Sequence, residues 1–285
     1  MDENIRQQAI DLYDRFTHDG LPRRDFMARM VALAGSVATA EALIGAIAAS
    51  PAAAGVVPAN DKRLTTRRAT VNGYRIYVAE PRSRSLKATV LVVHENRGLN
   101  EHTRDVARRL ALAGCRAAAP DMLSPVGGTP ANEDQARDMI GKLDLAQASQ
   151  AGVAMLGELA RTSRAGKVGA VGFCWGGAYV NRLAVAAGSD LDAGVAYYGP
   201  APNPSEAAKV RAPLLLHYAG LDERVNATGK PWVTALKATG KTVESFTYEG
   251  VNHAFNNDTS AERYNKAAAD LAWRRTLAFF RRHLG

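Results

Sequence analysis

Cysteine is scarce in this sequence, and the two cysteines that it has, Cys115 and Cys174, lie far apart. Neither belongs to a C-x-x-C pair, so the sequence predicts neither a disulfide framework nor a thiolate zinc site. Each cysteine therefore needs its own explanation. We expect Cys115, at the start of a β-rich run, to lie in the core.

Basic residues interleaved with stacking aromatics, the pattern typical of nucleic-acid binding, are also lacking. Aromatic residues make up only 7% of the chain, and its 36 Lys and Arg residues, against 28 Asp and Glu, are scattered. Nucleic acid is therefore not the expected partner, although the net charge of +8 favours a mild attraction for anionic small molecules. Hydrophobic residues, at 47% of 285, suffice for a large core and exclude a disordered chain.

Long uncharged apolar runs are lacking except near the N-terminus. Residues 1–22 predict a short amphipathic helix, and Arg23-Arg24 precedes a stretch, residues 30–60, whose only charge is Glu41. Residues 50–54 are small, as at a signal-cleavage site, so the segment resembles a twin-arginine export signal. Because Glu41 interrupts the run of about 20 apolar residues that a bilayer requires, we expect no membrane span.

Two interpretations of this N-terminal extension, residues 1–60, are open. In the first, residues 1–54 are an export signal that takes the protein to the periplasm; Pro22 and the long polar leader depart from that pattern. In the second, residues 3–19 and 26–50 are two helices that pack on the rest of a cytoplasmic protein. The sequence slightly favours export.

From residue 61 onward, short β-rich runs alternate with segments whose apolar residues have helical spacing. The predicted strands cover residues 74–79, 88–94, 116–120, 167–173, 193–198, 213–219 and 243–248, and the predicted helices cover residues 103–113, 133–143, 145–161, 178–187, 231–239 and 263–283. Runs such as 89–93 are apolar without alternation, which is typical of strands that are buried on both faces. We therefore predict one α/β domain, residues 61–285, with a mainly parallel central sheet and helices on both faces.

Cys174 lies where a predicted strand runs into a predicted helix, in the run Gly172-Phe173-Cys174-Trp175-Gly176-Gly177. Glycines two positions before and after it allow the sharp turn of a nucleophile elbow, whose usual form is G-x-S-x-G. The N-terminus of the following helix favours a thiolate at that position. The sequence thus predicts a cysteine nucleophile, the alternative being a small buried cysteine.

A nucleophile of this kind needs a base, and the base needs a group that orients it. His253 lies in a loop between the last predicted strand and the last predicted helix, whereas His217 lies inside a strand and His18 lies near the N-terminus. Asp222 follows an intermediate strand and could orient His253. The alternatives are that Asp222 is only a helix cap, or that Glu223 takes its place.

Another strand ends at the run His94-Glu95-Asn96-Arg97-Gly98. We assign the two donors of an oxyanion hole to the backbone N–H groups of Asn96 and Trp175. Glu95 could accept the proton of Cys174 or pair with Arg97, and an exposed pair of that kind would contribute little. Gly98 stands where the second histidine of H-E-x-x-H would be, so no metal site is predicted.

From residue 72 to residue 285 the sequence resembles the dienelactone hydrolase family. The resemblance lies in the cysteine elbow, the glutamate after a strand, Pro120-Asp121, Asp222 after its strand, and the histidine loop 250–255. It implies a cofactor-free α/β-hydrolase with a triad of Cys174, Asp222 and His253. It also implies that Glu95 deprotonates the cysteine once substrate binds.

The chain departs from the family at two positions. Members of the family bind the substrate carboxylate with an arginine shortly after the Pro-Asp pair and another four residues beyond the histidine. Here those neighbourhoods read Met122-Leu123-Ser124-Pro125 and Asn256-Asn257. Arg97 and Arg224 are the candidates to replace these cations.

We therefore expect a hydrolase that acts on small esters or lactones through a thioester intermediate, without a cofactor or metal. Two alternatives are a carboxylesterase or thioesterase with a different acyl preference, and a non-catalytic binding protein on the same fold. The oligomeric state is open.

Overall fold

The computed structural model describes residues 2–48, 55–82, 88–162 and 166–285. A single sheet of eight strands forms its centre, in the order β1-β2-β4-β3-β5-β6-β7-β8. The strands are β1 Leu64–Val71, β2 Tyr74–Pro81, β3 Thr89–Val93, β4 Arg116–Pro120, β5 Val168–Phe173, β6 Ala193–Tyr197, β7 Leu214–Ala219 and β8 Val243–Tyr248. Strands β3 to β8 pair in parallel, and β1 and β2 are antiparallel, so the prediction of a mainly parallel sheet is confirmed.

The described residues form nine α-helices that surround the sheet or precede it. They are α1 Glu3–His18, α2 Arg23–Ala34, α3 Val37–Ile47, α4 Glu101–Leu112, α5 Glu133–Gly141, α6 Leu145–Thr162, α7 Trp175–Ala186, α8 Glu223–Ala238 and α9 Lys266–Leu284. Two large apolar clusters lie on opposite faces of the sheet: one joins the sheet to α4 and α9, and the other joins it to α6, α7 and α8. The central strands are buried on both faces, as their apolar runs predict.

Strand β1 was missed by the sequence reasoning. It alternates half-buried and exposed residues and includes Arg67 and Arg68, as suits an edge strand with one solvated face. The turn Asn72-Gly73, in which both residues have positive φ, joins it to β2. A two-residue turn of this kind matches the right-handed twist of the two strands that it joins.

The predicted start of α8 at Pro231 was wrong, because the helix begins at Glu223. Proline favours the first turn of a helix, but here it lies in the interior. Asp222 caps the true start, since its Oδ1 accepts a hydrogen bond of 3.1 Å from the backbone N–H of Val225.

Helices α1, α2 and α3, residues 3–47, form a small unit that we call the cap. The sequence reasoning placed one helix over residues 26–50, but the chain breaks at Gly35, whose φ is 81°, and α2 and α3 meet at a bend of 106°. Ser36 starts α3 by accepting a hydrogen bond from the Thr39 N–H. The residues 50–54, which resemble a cleavage site, lie outside the described residues.

The cap has its own apolar cluster. Phe16 and Phe26 stack with their ring centroids 4.3 Å apart, and Met30 and Ile47 are fully buried. No single described helix is long and apolar enough to cross a membrane; α2 and α3 would meet that test only as a bent pair. The apolar stretch after the two arginines is thus partly buried within the cap.

The cap packs against the loop that follows β8. The backbone carbonyl of Ile47 accepts hydrogen bonds from Ser260 Oγ and Arg263 Nε, at 2.5 and 3.1 Å. Gln7 and Asn252 exchange two side-chain hydrogen bonds of 2.7 and 3.1 Å. These contacts place the C-terminal end of α1 over the ends of the central strands.

Candidate active site

Cys174 lies on a strained turn between β5 and α7. Its backbone has φ 54° and ψ −114°, which a residue other than glycine rarely adopts. A Cβ on Gly172 would lie 2.0 Å from the carbonyl oxygen of Gly176, and a Cβ on Gly176 would lie 2.4 Å from that of Val93. The two glycines are therefore required for the backbone of the elbow to close.

His253 and Asp222 meet beside this turn. Asp222 follows β7, His253 lies in the loop after β8, and the distance from His253 Nδ1 to Asp222 Oδ2 is 2.5 Å. The other carboxylate oxygen of Asp222 caps α8, so the helix fixes the carboxylate that orients the imidazole. The alternative that Asp222 is only a cap does not hold, since it does both.

The protonation of this pair is strongly coupled. Burial lowers the pKa of His253, but the negative charges of Asp222 and Cys174 outweigh burial and raise it to about 10. Burial likewise works to raise the pKa of Asp222, yet its interaction with His253 brings that pKa below its ordinary value. The contact between His253 and Asp222 thus favours a charged pair, an imidazolium beside a carboxylate.

Glu95 lies close to this pair, but its hydrogen-bond partners are not the ones that the sequence suggests. Its Oε1 accepts a hydrogen bond of 3.2 Å from the Tyr198 hydroxyl, and its Oε2 accepts one of 2.9 Å from the Asn257 amide. Arg97 pairs instead with Glu133, at 2.5 Å. The alternative of a Glu95–Arg97 surface pair was therefore wrong.

Tyr198 and Asn257 were missed by the sequence reasoning. Tyr198 is fully buried and has a φ of 36°, and burial, together with the charge of Glu95, raises the pKa of its hydroxyl well above the ordinary value. The sequence singled out Asn257 only because it stands where the family has an arginine, and not as a partner of Glu95. Together they hold the Glu95 carboxylate in a fixed orientation.

The remaining predicted site residues lie around the same point. Trp175 is the first residue of α7, where backbone N–H groups have no partner within the helix. Asn96 and Arg97 line a cavity together with Cys174 and His253. Arg224, in the first turn of α8, lies 3.8 Å from Asp19 at the end of α1 and therefore faces the cap.

His18, which the sequence reasoning set aside, lies inside this site. Its Nε2 is 3.9 Å from Cys174 Sγ, and its ring centroid is 4.8 Å from that of His253. Burial holds the pKa of His18 well below its ordinary value, and the positive charge of His253 adds to this effect. The amphipathic pattern predicted a helix that packs, but nothing local indicated what it packs against.

Arg263 and Asp14 form a second unpredicted contact between cap and site. Their Nη1 and Oδ1 atoms are 3.4 Å apart, and the Arg263 guanidinium lies 5.2 Å from the ring centroid of Tyr13. Burial raises the pKa of Asp14, although the nearby His253 and Arg263 partly offset this rise. The sequence predicts for Arg263 only a place at the start of the last helix.

The cavity at Cys174 is very small. It has a volume of about 10 Å³ and is lined by Tyr13, Thr17, His18, Glu95, Asn96, Arg97, Cys174, His253, Ala254 and Arg263. About 10–15 Å³ is needed to hold one water molecule. A wider cavity of about 450 Å³, between β1, β2 and the start of α4, contains none of the predicted site residues. The cap therefore fills the space over Cys174.

Known proteins are similar to this chain in sequence and in fold. The sequence model of the dienelactone hydrolase family matches residues 74–284. A candidate carboxymethylenebutenolidase from Methylorubrum extorquens is 31% identical over 278 residues, which cover 90% of this chain and 94% of that protein. A second, from Saccharolobus solfataricus, is 29% identical over 245 residues, or 73% of this chain and 93% of that one.

The structural comparison agrees. A crystal structure of a candidate dienelactone hydrolase from Klebsiella pneumoniae matches with a TM-score of 0.69 at 27% identity, over 76% of this chain and 98% of that chain. The predicted α/β-hydrolase fold and the predicted family are both confirmed. This chain belongs to the dienelactone hydrolase family of hydrolases.

Proposed function

We propose that the protein hydrolyses small esters or lactones through a Cys174–Asp222–His253 triad and a thioester intermediate. The observation that carries this proposal is the 2.5 Å contact between His253 and Asp222, made beside a cysteine on a nucleophile elbow. The names of the relatives, carboxymethylenebutenolidase and dienelactone hydrolase, point to the same chemistry. A lactone is a cyclic ester, so one mechanism serves both substrates.

In the first half of the reaction, the Cys174 thiolate attacks the carbonyl carbon of the substrate. The oxyanion that forms accepts hydrogen bonds from the backbone N–H groups of Asn96 and Trp175. His253, protonated in the resting site, gives its Nε2 proton to the leaving oxygen as the C–O bond breaks. The products are an alcohol, or the free hydroxyl of an opened lactone, and a thioester on Cys174.

In the second half, water hydrolyses the thioester. His253, now neutral, takes a proton from the water as its oxygen attacks the thioester carbonyl. Asp222 stabilises the imidazolium that results and holds its Nδ1–H in place. The C–S bond then breaks, the acid leaves and the thiolate–imidazolium pair is restored.

Glu95 lines the same cavity as Cys174. Its hydrogen bonds from Tyr198 and Asn257 keep the carboxylate at the carboxyl end of β3, close to the nucleophile. In the family resemblance the cysteine rests as a thiol, and this glutamate deprotonates it once substrate binds. We assign Glu95 that role here, so the attacking thiolate forms only with substrate in the site.

An anionic substrate fits the cations around the site. Arg97 donates a hydrogen bond to the Tyr13 hydroxyl, Arg224 pairs with Asp19, and all of these contacts involve the cap. When the cap moves away, both guanidinium groups lose these cap partners. They would then attract a substrate carboxylate in the role of the missing family arginines.

Substrate binding requires the cap to move, because a cavity of about 10 Å³ cannot hold an ester. The described contacts that close it are mainly hydrogen bonds and ion pairs, which suits a cap that opens while the catalytic domain stays folded. We therefore propose that residues 3–47 remain part of the protein as a cap. The competing proposal is that they are an export signal.

The test of catalysis compares two cysteine variants of the full chain on a panel of lactones, aryl esters and acyl thioesters. Cys174→Ala should abolish turnover, and mass spectrometry of the quenched wild-type protein should find an acyl adduct on Cys174. Cys115→Ala, which changes a buried cysteine far from the elbow, should retain turnover. Unchanged turnover in Cys174→Ala would overturn the mechanism.

The test of the cap is the intact mass of the protein purified from its own host. A mass of 30.4 kDa is expected if the cap is retained. A smaller mass, matching a chain that starts near residue 55 and found in the periplasmic fraction, supports the export signal instead. Either result decides between the two interpretations of the extension.

A further inference from the structure

The cap brings a third metal-ligating side chain to the catalytic cysteine. One ligand atom from each of His18, Cys174 and His253 lies within 4.8 Å of the other two. His18 Nε2 is 3.9 Å from Cys174 Sγ. The three residues come from α1, the elbow and the loop after β8, so only the closed cap brings them together.

The separation between Cys174 and His18 is near that of a zinc site. Zinc binds sulfur at about 2.3 Å and histidine nitrogen at about 2.0–2.1 Å, so tetrahedral angles place the sulfur and a nitrogen roughly 3.6 Å apart. The observed Cys174–His18 distance exceeds this by only about 0.3 Å. The other two separations are at most 4.8 Å, so the three side chains must draw closer together when the ion binds.

The chemistry of the three groups also suits zinc. Histidine nitrogen and cysteine sulfur are both ligands that zinc takes in proteins. His253 Nε2 is buried and has no hydrogen-bond partner among the described residues, while its Nδ1 is held by Asp222. A carboxylate behind a ligating histidine is the usual support of zinc sites.

The charges around the three groups leave room for a cation. Each of the nearby arginines has an acidic partner: Arg97 pairs with Glu133, Arg224 with Asp19 and Arg263 with Asp14. The carboxylates of Asp222 and Glu95 lie on the same side of the site. A dication is therefore not placed among unpaired positive charges.

We propose that His18, Cys174 and His253 bind one Zn²⁺ ion, and that the ion locks the cap closed over an inactive site. The Zn–S bond forms as the Cys174 thiol loses its proton to solvent, and His253 Nε2 likewise releases its proton before it ligates. No oxidation or reduction is involved. The ion binds Cys174 and His253, the proposed nucleophile and base. It therefore inhibits hydrolysis and takes no part in it.

The inference does not depend on the proposed hydrolysis, because zinc binding is measured without a substrate. Metal-free full-length protein is titrated with Zn²⁺ in competition with a chromophoric chelator, and one ion per chain is expected. His18→Asn, Cys174→Ser and His253→Asn should each weaken binding by at least about 100-fold, since even groups behind the ligands cost 10–100-fold. His283→Asn, a histidine at the end of α9, is the matched control and should bind as the wild type does.

Two spectroscopic measurements identify the ligands and the lock. Co²⁺ in place of Zn²⁺ should give a thiolate-to-cobalt charge-transfer band in the wild type, absent in Cys174→Ser. Zn²⁺ should also slow amide hydrogen exchange in α1 in the wild type but not in His18→Asn. Circular dichroism of each variant checks that it folds, and His18→Gln serves as a second variant if His18→Asn does not.

Three outcomes would overturn the proposal. The first is the absence of stoichiometric binding to the wild type. The second is undiminished binding to His18→Asn or His18→Gln, which would mean that the catalytic pair binds zinc without the cap. The third is binding without any slowing of exchange in α1, which would mean that the ion does not hold the cap.

Discussion

The catalytic domain and the cap are held together by different forces. The catalytic domain buries whole strands, such as β3 and β5, between two large apolar clusters, and its elbow depends on glycines that no other residue can replace. The cap has a separate apolar cluster drawn from residues 9–48. Its described contacts with the catalytic domain are mainly hydrogen bonds and ion pairs, such as those of Gln7 and Asp14.

This difference indicates that the two regions have different tasks. Burial of apolar strands provides most of the stability of a domain, whereas each polar contact contributes only about 0.5–1.5 kcal/mol net. The catalytic domain can therefore hold strained and buried charged groups in place. The cap can close over them and open again without unfolding its partner.

The largest expected effect concerns His253 and Asp222, and it distinguishes their role from that of the cap. Asp222→Asn keeps an N-cap for α8 but removes the charge that stabilises the His253 imidazolium, so kcat should fall by roughly 10³- to 10⁴-fold. Steady-state hydrolysis of an aryl ester measures this, and hydrogen exchange in α1 should not change. Glu223→Gln, the rival acid, is the control and should retain its rate. A fall in kcat of less than about tenfold in Asp222→Asn would contradict the triad.

The second prediction concerns the cap core. Phe26→Ala removes a ring that is 2% exposed and stacked on Phe16, which costs about 3–5 kcal/mol. If the cap opens independently, this loss should speed alkylation of Cys174 by iodoacetamide by about 100-fold or more, while the urea midpoint of the catalytic domain changes little. Phe279→Ala, a matched loss in α9, should instead lower that midpoint.

One result would remove the distinction between the two regions. If Phe26→Ala lowers the stability of the whole protein as much as Phe279→Ala does, the cap and the catalytic domain unfold together. In that case the cap could not open alone, and substrate would need another route to Cys174. Urea unfolding followed by tryptophan fluorescence and by hydrogen exchange gives the comparison directly.

Alkaline pH should weaken the catalytic pair. Asp222 and Cys174 raise the pKa of His253 to about 10, against burial, from an ordinary value of about 6.5. The stability that this pair contributes is therefore complete below about pH 6.5 and is lost as the pH rises to about 10. The difference in unfolding free energy between the wild type and His253→Gln should shrink over that window. A difference that grows with pH would show that the pair is not charged as described.

Acid should weaken the cap instead. Burial lowers the pKa of His18, so the closed cap is stabilised above about pH 6.5 and loses this contribution as the pH falls below it. Asp14 acts in the opposite direction, because burial raises its pKa. The comparison with His18→Gln isolates the histidine: as the pH is lowered, only the wild type should lose protection in α1, measured as the exchange rate relative to the intrinsic amide rate at the same pH. An equal loss of protection in both proteins would assign the effect to other groups.

The residues that the sequence singled out for catalysis lie together in the structure, whereas the residues that the cap supplies were not predicted. The elbow is a local pattern, since Gly172 and Gly176 are needed within five residues of chain. Asp222 and His253 followed from the rule that ligands gather at the carboxyl ends of parallel strands. Glu95 was found by the same rule, although its partners were not.

His18 and Arg263 could not be found in this way. Their roles depend on where a separate group of helices docks, and that docking rests on scattered hydrogen bonds with no periodic signal in the sequence. Two of the errors in the fold have local causes. In β1, arginines on an edge strand hid the alternation, and in α8, Pro231 imitated a helix start.

The smallest expected effect tests a single contact of the cap. Gln7→Ala removes the two hydrogen bonds exchanged with Asn252, and because both side chains are partly exposed, water can replace them. The closed cap should lose no more than about 1 kcal/mol, seen as an increase of at most about fivefold in hydrogen exchange of α1. Gln8→Ala, whose side chain bonds only to Asn4 on the same helix, should change nothing. A larger loss in Gln7→Ala would mean that this contact, and with it the loop that carries His253, is a main hinge between the two regions, and that the cap is held by one point of attachment instead of several weak ones.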